Sequence, residues 1–242
     1  MINSHAISIL TLGFLLGLKH ALDADHLIAV STMLSERKGF WYSSWVGIWW
    51  GIGHTAALLV VAVIMIALDF QIPSTIALVL EYVAALLLIS LGIRILWKIY
   101  HGAIFHIHVH KHENHVHVHP HIHEYNADHQ YFQQGIHHHV SSLKKKPLMI
   151  GMIHGIAGSA ALMLMVLTTI SSRLVAIVYV AVFGLGSIGG MLVMSTLIGL
   201  PLSLTSRNQL LHKVIQTTAG IVSVGFGSYL TWQIGFEQGF FL

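Results

Sequence analysis

Cysteine is absent from the 242 residues, so neither a disulfide nor a thiolate metal site is available to this chain. Charge is almost as scarce: Asp, Glu, Lys and Arg together make up 9% of the residues, against roughly 25% in a soluble domain. There is no G-x4-G-K-[ST] phosphate loop, which excludes a recognisable ATP-driven engine. The start, "MINSHAIS", lacks the basic opening and small-residue cleavage site of a signal peptide and runs straight into an apolar stretch. What fills the chain instead is hydrocarbon, with 55% hydrophobic residues and a mean hydropathy of +0.74. An integral membrane protein is the reading. The formal charge of +3 comes mostly from Lys and Arg in connecting segments, so nucleic acid is not an expected partner and the lipid bilayer is. Histidine is the one excess, at twenty residues.

Six segments reach the ~20 apolar residues that a helix needs to cross a ~30 Å hydrocarbon core: Ala6–Leu34, Ser44–Leu68, Thr75–Trp97, Leu148–Ile170, Leu174–Leu200 and Val214–Ile234. Backbone groups in lipid must be satisfied within the segment, so these are expected to be helices. Pro73, Ser171–Arg173 and Thr205–Gln209 mark connections. Six crossings put Arg37, Lys38, Lys98, Lys111, Lys144, Lys145, Lys146, Arg207 and Lys213 on one side and Arg173 on the other. Positive loops face the cytoplasm. The expectation is a multi-pass protein of the plasma (cell inner) membrane with both termini outside and its long loop inside.

The halves echo each other. "GLKHA" at Gly17–Ala21 aligns with "GMIHG" at Gly151–Gly155 at an offset of 134, and "WGIGH" at Trp50–His54 with "FGLGS" at Phe183–Ser187 at 133. "LGI" at Leu91–Ile93 pairs with "FGS" at Phe226–Ser228 at 135. Two three-helix units in this arrangement must run in opposite directions, as in transporters whose substrate site lies near the midplane between inverted repeats. The expected fold class is therefore an all-α membrane protein of six transmembrane helices. Repeats over 1–100 and 147–242 would be joined by a His-rich, disordered cytoplasmic loop over 101–146.

Ionisable groups inside a membrane cost at least ~2.5–3.5 kcal/mol each and mark function by default. The first span carries several, in "GLKHALDADHLIAV" from Gly17 to Val30. At 100° per residue, His20, Asp23 and His26 share about a 120° arc of one helix face, and neighbours three apart can meet. Asp25 points elsewhere on an ideal helix and joins them only if the helix unwinds. Imidazole and carboxylate form a nitrogen/oxygen set suited to nickel, cobalt or zinc. His20, Asp23, Asp25, His26 and, from the second span, His54 are the expected metal residues. A lone histidine such as His54 is as often a structural hydrogen bonder. His154, Ser159, Ser187 and Glu81 are pathway candidates, with helix packing as the competing role for His154 beside the small residues of "GIAGSAA".

Fourteen histidines fall between 101 and 139. Their alternation with Val and Ile has the look of a strand, yet such tracts are expected to be disordered and ordered by metal. His106, His108, His110, His112, His115, His117, His119, His121, His123, His137, His138 and His139 are read as an auxiliary metal-binding loop that buffers or senses the ion.

"HALDADH" at His20–His26 fits the H-x4-D-H signature and resembles the nickel/cobalt transporter family. "GHT" at Gly53–Thr55 and "GMIHGIAGSAAL" at Gly151–Leu162 look like its short six-span, urease-accessory branch. The resemblance implies that His20, Asp25 and His26 handle the metal, with Asp23 beside them and His54 in support. It also brings in nickel-enzyme maturation proteins as partners. Where longer members have acidic motifs in their second half, this chain has His154, Ser159 and Ser187.

The functional expectation is a secondary permease taking up nickel or cobalt as substrate, with no permanent cofactor and no enzymatic activity. Efflux is the alternative within that class. An intramembrane acyltransferase, whose carboxylate would orient a histidine base at the His20-x4-Asp25 spacing, is the alternative outside it. That chemistry needs an acyl-donor pocket the sequence does not offer.

Overall fold

The computed structural model describes residues 4–35, 39–69, 72–101, 103–112, 115–124, 144–157, 170, 172–204 and 208–241. The expected first span is broken in two. Helix α1 (Ser4–His20) and helix α2 (Ala24–Ser35) meet at a bend of 51°. At the break, Leu22 N donates to Lys19 O (2.8 Å) and Asp23 N to His20 O (3.1 Å), so the ladder tightens to i→i−3 before Leu27 N picks up Asp23 O at 3.0 Å. No glycine or proline causes this. Asp23 stands immediately before α2, where aspartate favours a new helix start over a continued helix interior.

Beyond the break come α3 (Phe40–Leu68) and α4 (Ser74–His101). Helix α5 covers residues 144–157, followed by α6 (Arg173–Leu204) and α7 (Gln209–Trp232), which ends in a π-helical turn, Gln233–Glu237. Among the described residues, three helices, α3, α4 and α6, are long and apolar enough to cross a membrane, or four if the bent α1–α2 pair counts as one span. The expected fourth span is described only to residue 157, and the sixth corresponds to α7, which does not meet the same apolarity. Outward-facing Leu12, Leu15, Val60, Leu185, Val193 and Ile221 leave an apolar exterior suited to lipid.

The histidine segment is described over residues 103–112 and 115–124. Strand β1 (Ala103–His112) pairs antiparallel with β2 (His115–Glu124). The two-residue alternation with β-branched Val and Ile is a strand pattern, and here it sets the backbone. Residues 125–143, with His137, His138 and His139, lie outside the described residues, as does Ser159.

Helices touch where side chains vanish, as expected where lipid removes the hydrophobic drive for association. The contacts are reciprocal. A Cβ on Gly53 would strike Leu148 O, and one on Gly186 would strike Phe14 O; Gly151 abuts Trp50 O, and Gly17 abuts Phe183 O. Gly51 lies against Ile188 and Gly184 against Thr55, while Gly92 meets Gly220 and Val224 as Gly227 meets Ala85 and Ile89. Each pair maps onto the other through the 133–135 offsets of the sequence echo. Two apolar clusters result. One contains Trp50, Leu34, Leu88 and Met191, the other Leu58, Tyr179, Val180 and Phe183.

Candidate metal centre

The broken helix delivers the polar residues to the seam between those clusters. His20 ends α1, and its ring lies 5.5 Å from Phe183. His26, in the first turns of α2, stacks on Trp50 at 5.6 Å. α3 contributes His54 and α5 contributes His154, whose ring lies 5.9 Å from Trp50. The break does more than supply space. A helix C-terminus is the negative end of its dipole and favours a cation near His20, while the N-terminus of α2 favours the carboxylates of Asp23 and Asp25.

Hydrogen bonds divide the cluster into roles. His20 Nδ1 lies 2.7 Å from Asp23 Oδ2, and its Nε2 lies 3.3 Å from His54 Nε2. A carboxylate that accepts the Nδ1 proton fixes the tautomer and turns the Nε2 lone pair inward, the arrangement used to orient metal-ligating histidines. Two Nε2 atoms that close need a proton or a cation between them. On the other side, Asp25 bridges two rings: Oδ1 is 3.1 Å from His26 Nδ1, and Oδ2 is 2.7 Å from His154 Nε2. Asp25 thus joins the cluster because the helix unwinds before it.

Ring centroids of His20 and His54 lie 4.5 Å and 5.2 Å, respectively, from that of His26, and His154 lies 4.5 Å from it. Two groups of three donors emerge, His20–His26–His54 and Asp25–His26–His154, each with its ligand atoms within 4.8 Å of one another. Nitrogens bound about 2.1 Å from one metal lie at most about 4.2 Å apart, so closure needs only a modest inward shift. The carboxylates are the more open groups: side-chain exposure is 48% for Asp23 and 31% for Asp25, against 19% for His20 and 1% for both His26 and His154. His26 Nε2, His54 Nδ1 and His154 Nδ1 are buried without a hydrogen-bond partner among the described residues. Each such atom costs about 1–3 kcal/mol, a penalty that a ligated cation can offset.

The pathway candidates separate. His154, expected only on the pathway or in packing, sits inside the cluster. Ser187 is buried, and its hydroxyl donates to Gly17 O at 3.3 Å, so it serves helix packing. Glu81 is part-buried on α4 and belongs to neither donor group. Sequence reasoning passed over Trp50 and Phe183, which wall the imidazoles. The 133–134 offsets could have found them: they relate Trp50 to Phe183 and His154 to His20, so each histidine faces the aromatic of the other half.

Fold and cluster together define a helical membrane protein with buried histidines and a carboxylate gathered at a helix break. Across 236 residues, 97% of this chain and 95% of the relative, the sequence is 36% identical to the urease accessory protein UreH of Bacillus sp. (strain TB-90). The chain belongs to the UreH family of urease accessory proteins. An accessory protein is not an enzyme, in keeping with the expectation from sequence. No family model matches the chain, and no solved structure matches it.

Proposed function

We propose that this protein is a secondary permease that takes up nickel, and cobalt through the same donors, across the plasma membrane. The observation that carries the reading is the bridge from Asp25 to both His26 and His154, beside the His20–His54 pair. Donors from four helices, α1, α2, α3 and α5, converge at a break in a span. In this reading His20, Asp25, His26, His54 and His154 receive the ion in exchange for its waters, and Asp23 positions His20. The relative's name links the family to urease, a nickel enzyme, which makes nickel the leading substrate and nickel-enzyme maturation proteins the onward partners.

Six crossings in two inverted repeats are part of the proposal, supported by the reciprocal glycine contacts. The excess of Lys and Arg on one side supports a cytoplasmic histidine segment and external termini. Inward movement of a divalent cation gains ~2.3 kcal/mol per charge per 100 mV of membrane potential, so no ATP-driven partner is required. The register of the hairpin sets His106 opposite His121, His108 opposite His119, His110 opposite His117 and His112 opposite His115. Such paired positions suit a cytoplasmic reservoir that takes the ion after passage.

The test is accumulation of radioactive nickel in proteoliposomes, with cobalt and zinc as competitors and a potential imposed in either direction. Uptake driven by an inside-negative potential and inhibited by cobalt is expected. Accumulation that ignores the potential, or only outward movement, refutes the reading.

A further inference from the structure

We infer that the span cluster is two adjoining subsites sharing one ligand, His26, and that a single divalent ion is handed from one to the other. This rests on the permease reading above and adds the route within it. The first subsite is His20, His26 and His54, all imidazole, beside the half-exposed Asp23. The second subsite is Asp25, His26 and His154, where one carboxylate replaces an imidazole.

Several observations favour two stations over one larger cage. The two donor groups have only His26 in common, and the rings of His54 and His154 stand 6.4 Å apart. His26 also differs at its two nitrogens. Nδ1 lies 3.1 Å from Asp25, whereas Nε2 is buried without a hydrogen-bond partner among the described residues. A neutral imidazole has one lone pair for a metal. With its proton on Nδ1, held by Asp25, His26 offers Nε2 to the first station. With the proton moved to Nε2, it offers Nδ1 to the second, where Asp25 is now free to ligate. The ring keeps the same number of protons throughout, and the two stations cannot be filled together through it.

The order follows from charge. Three neutral imidazoles hold a hydrated divalent ion without a strong charge trap. Beyond them, the Asp25 carboxylate draws it on to His26 and His154, which Trp50 walls. The symmetry of the packing supports this division. His20 against Phe183 and His154 against Trp50 are equivalent pairs from the two halves, so each half presents one histidine to the shared ligand.

The experiment uses the full-length chain in nanodiscs and proteoliposomes, with the fourteen histidines between 101 and 139 replaced by asparagine so that only the spans bind nickel. Equilibrium dialysis should give one nickel per chain. H154N should weaken nickel binding at least about 10-fold, because it dismantles the station where the ion rests and loss of even an outer-shell partner costs 10–100-fold. H54N should bind nickel within about threefold of the parent, below that range, while uptake drops at least 10-fold. D25N, the second variant of the carboxylate station, should show the same loss of binding as H154N, and size-exclusion profiles establish that each variant is folded. Equal loss of binding in H54N, H154N and D25N would overturn the relay in favour of one merged site. Two nickel ions per chain would overturn it in favour of simultaneous occupancy. A folded parent that binds no nickel would sink the permease reading itself, a distinct outcome.

Discussion

His154 Nε2 lies 2.7 Å from Asp25 Oδ2, which ties α5 in the second half of the chain to α2 in the first. Asp25 also reaches His26, so one carboxylate answers two buried rings. Removing it leaves both imidazoles facing a void and takes an anionic donor from the proposed route. Asp25→Ala should therefore abolish nickel accumulation, a loss beyond the ~100-fold upper end for outer-shell partners, while membrane insertion persists. Accumulation by D25A at the parental rate would remove Asp25 from the route.

Asp23 sits two residues away in a different role. Its carboxylate meets His20 Nδ1 at 2.7 Å and is half open to solvent. In the proposed route its part is to orient His20, not to enclose the ion. Asp23→Asn keeps a hydrogen-bonding group of the same size but removes the charge that fixes the His20 tautomer. Apparent nickel affinity should weaken about 10–100-fold, with the maximal uptake rate retained at saturating metal. A fall in maximal rate with affinity unchanged would contradict the positioning role.

The reciprocal glycines make a structural prediction. Gly53 and Gly186 each press against backbone of a crossing helix, so valine at either forces two helices apart. Both G53V and G186V should lower the melting temperature of the solubilised protein, by an amount set by overpacking of about 1–3 kcal/mol. Gly225 on α7 is the control: among the described residues a Cβ there meets nothing within 4 Å. Replacing it with alanine should be neutral or stabilising by up to about 1 kcal/mol through helix propensity. If the three variants melt alike, the close crossings are not what holds the bundle.

Much of this cluster was readable from spacing. Three-residue steps grouped His20, Asp23 and His26 on one face of a continuous helix; the break instead leaves His20 at the end of α1 and His26 on α2, their rings still 4.5 Å apart, and the tight turn at Leu22 and Asp23 lets Asp25 join. The break itself carried no glycine or proline signal; only the aspartate-rich "LDAD" marked it. His154 was harder. Depth along a straight fourth span places it away from His20, and depth says nothing of how a bent α2 reaches towards α5. In the histidine segment composition argued for disorder and the period-two alternation of His with Val and Ile for strands, and the described stretches take the strand pattern.

The end of α2 offers a further prediction away from the metal. Gln216 on α7 donates its amide to Ser35 O at 2.6 Å, closing the C-terminus of a short, largely buried helix. An unsatisfied carbonyl at a buried helix end costs about 1–3 kcal/mol, so Gln216→Ala should destabilise the solubilised protein by that order. Because α2 carries Asp25 and His26, loosening its far end should also broaden their positions. Nickel uptake by Q216A should then decline more steeply with temperature than in the parent, even below its melting transition. Gln216→Glu removes the donor while keeping the length and sets a charge against the carbonyl, so it should be worse than alanine in both measurements. Parental melting and parental uptake in Q216A would show that water closes the helix end equally well.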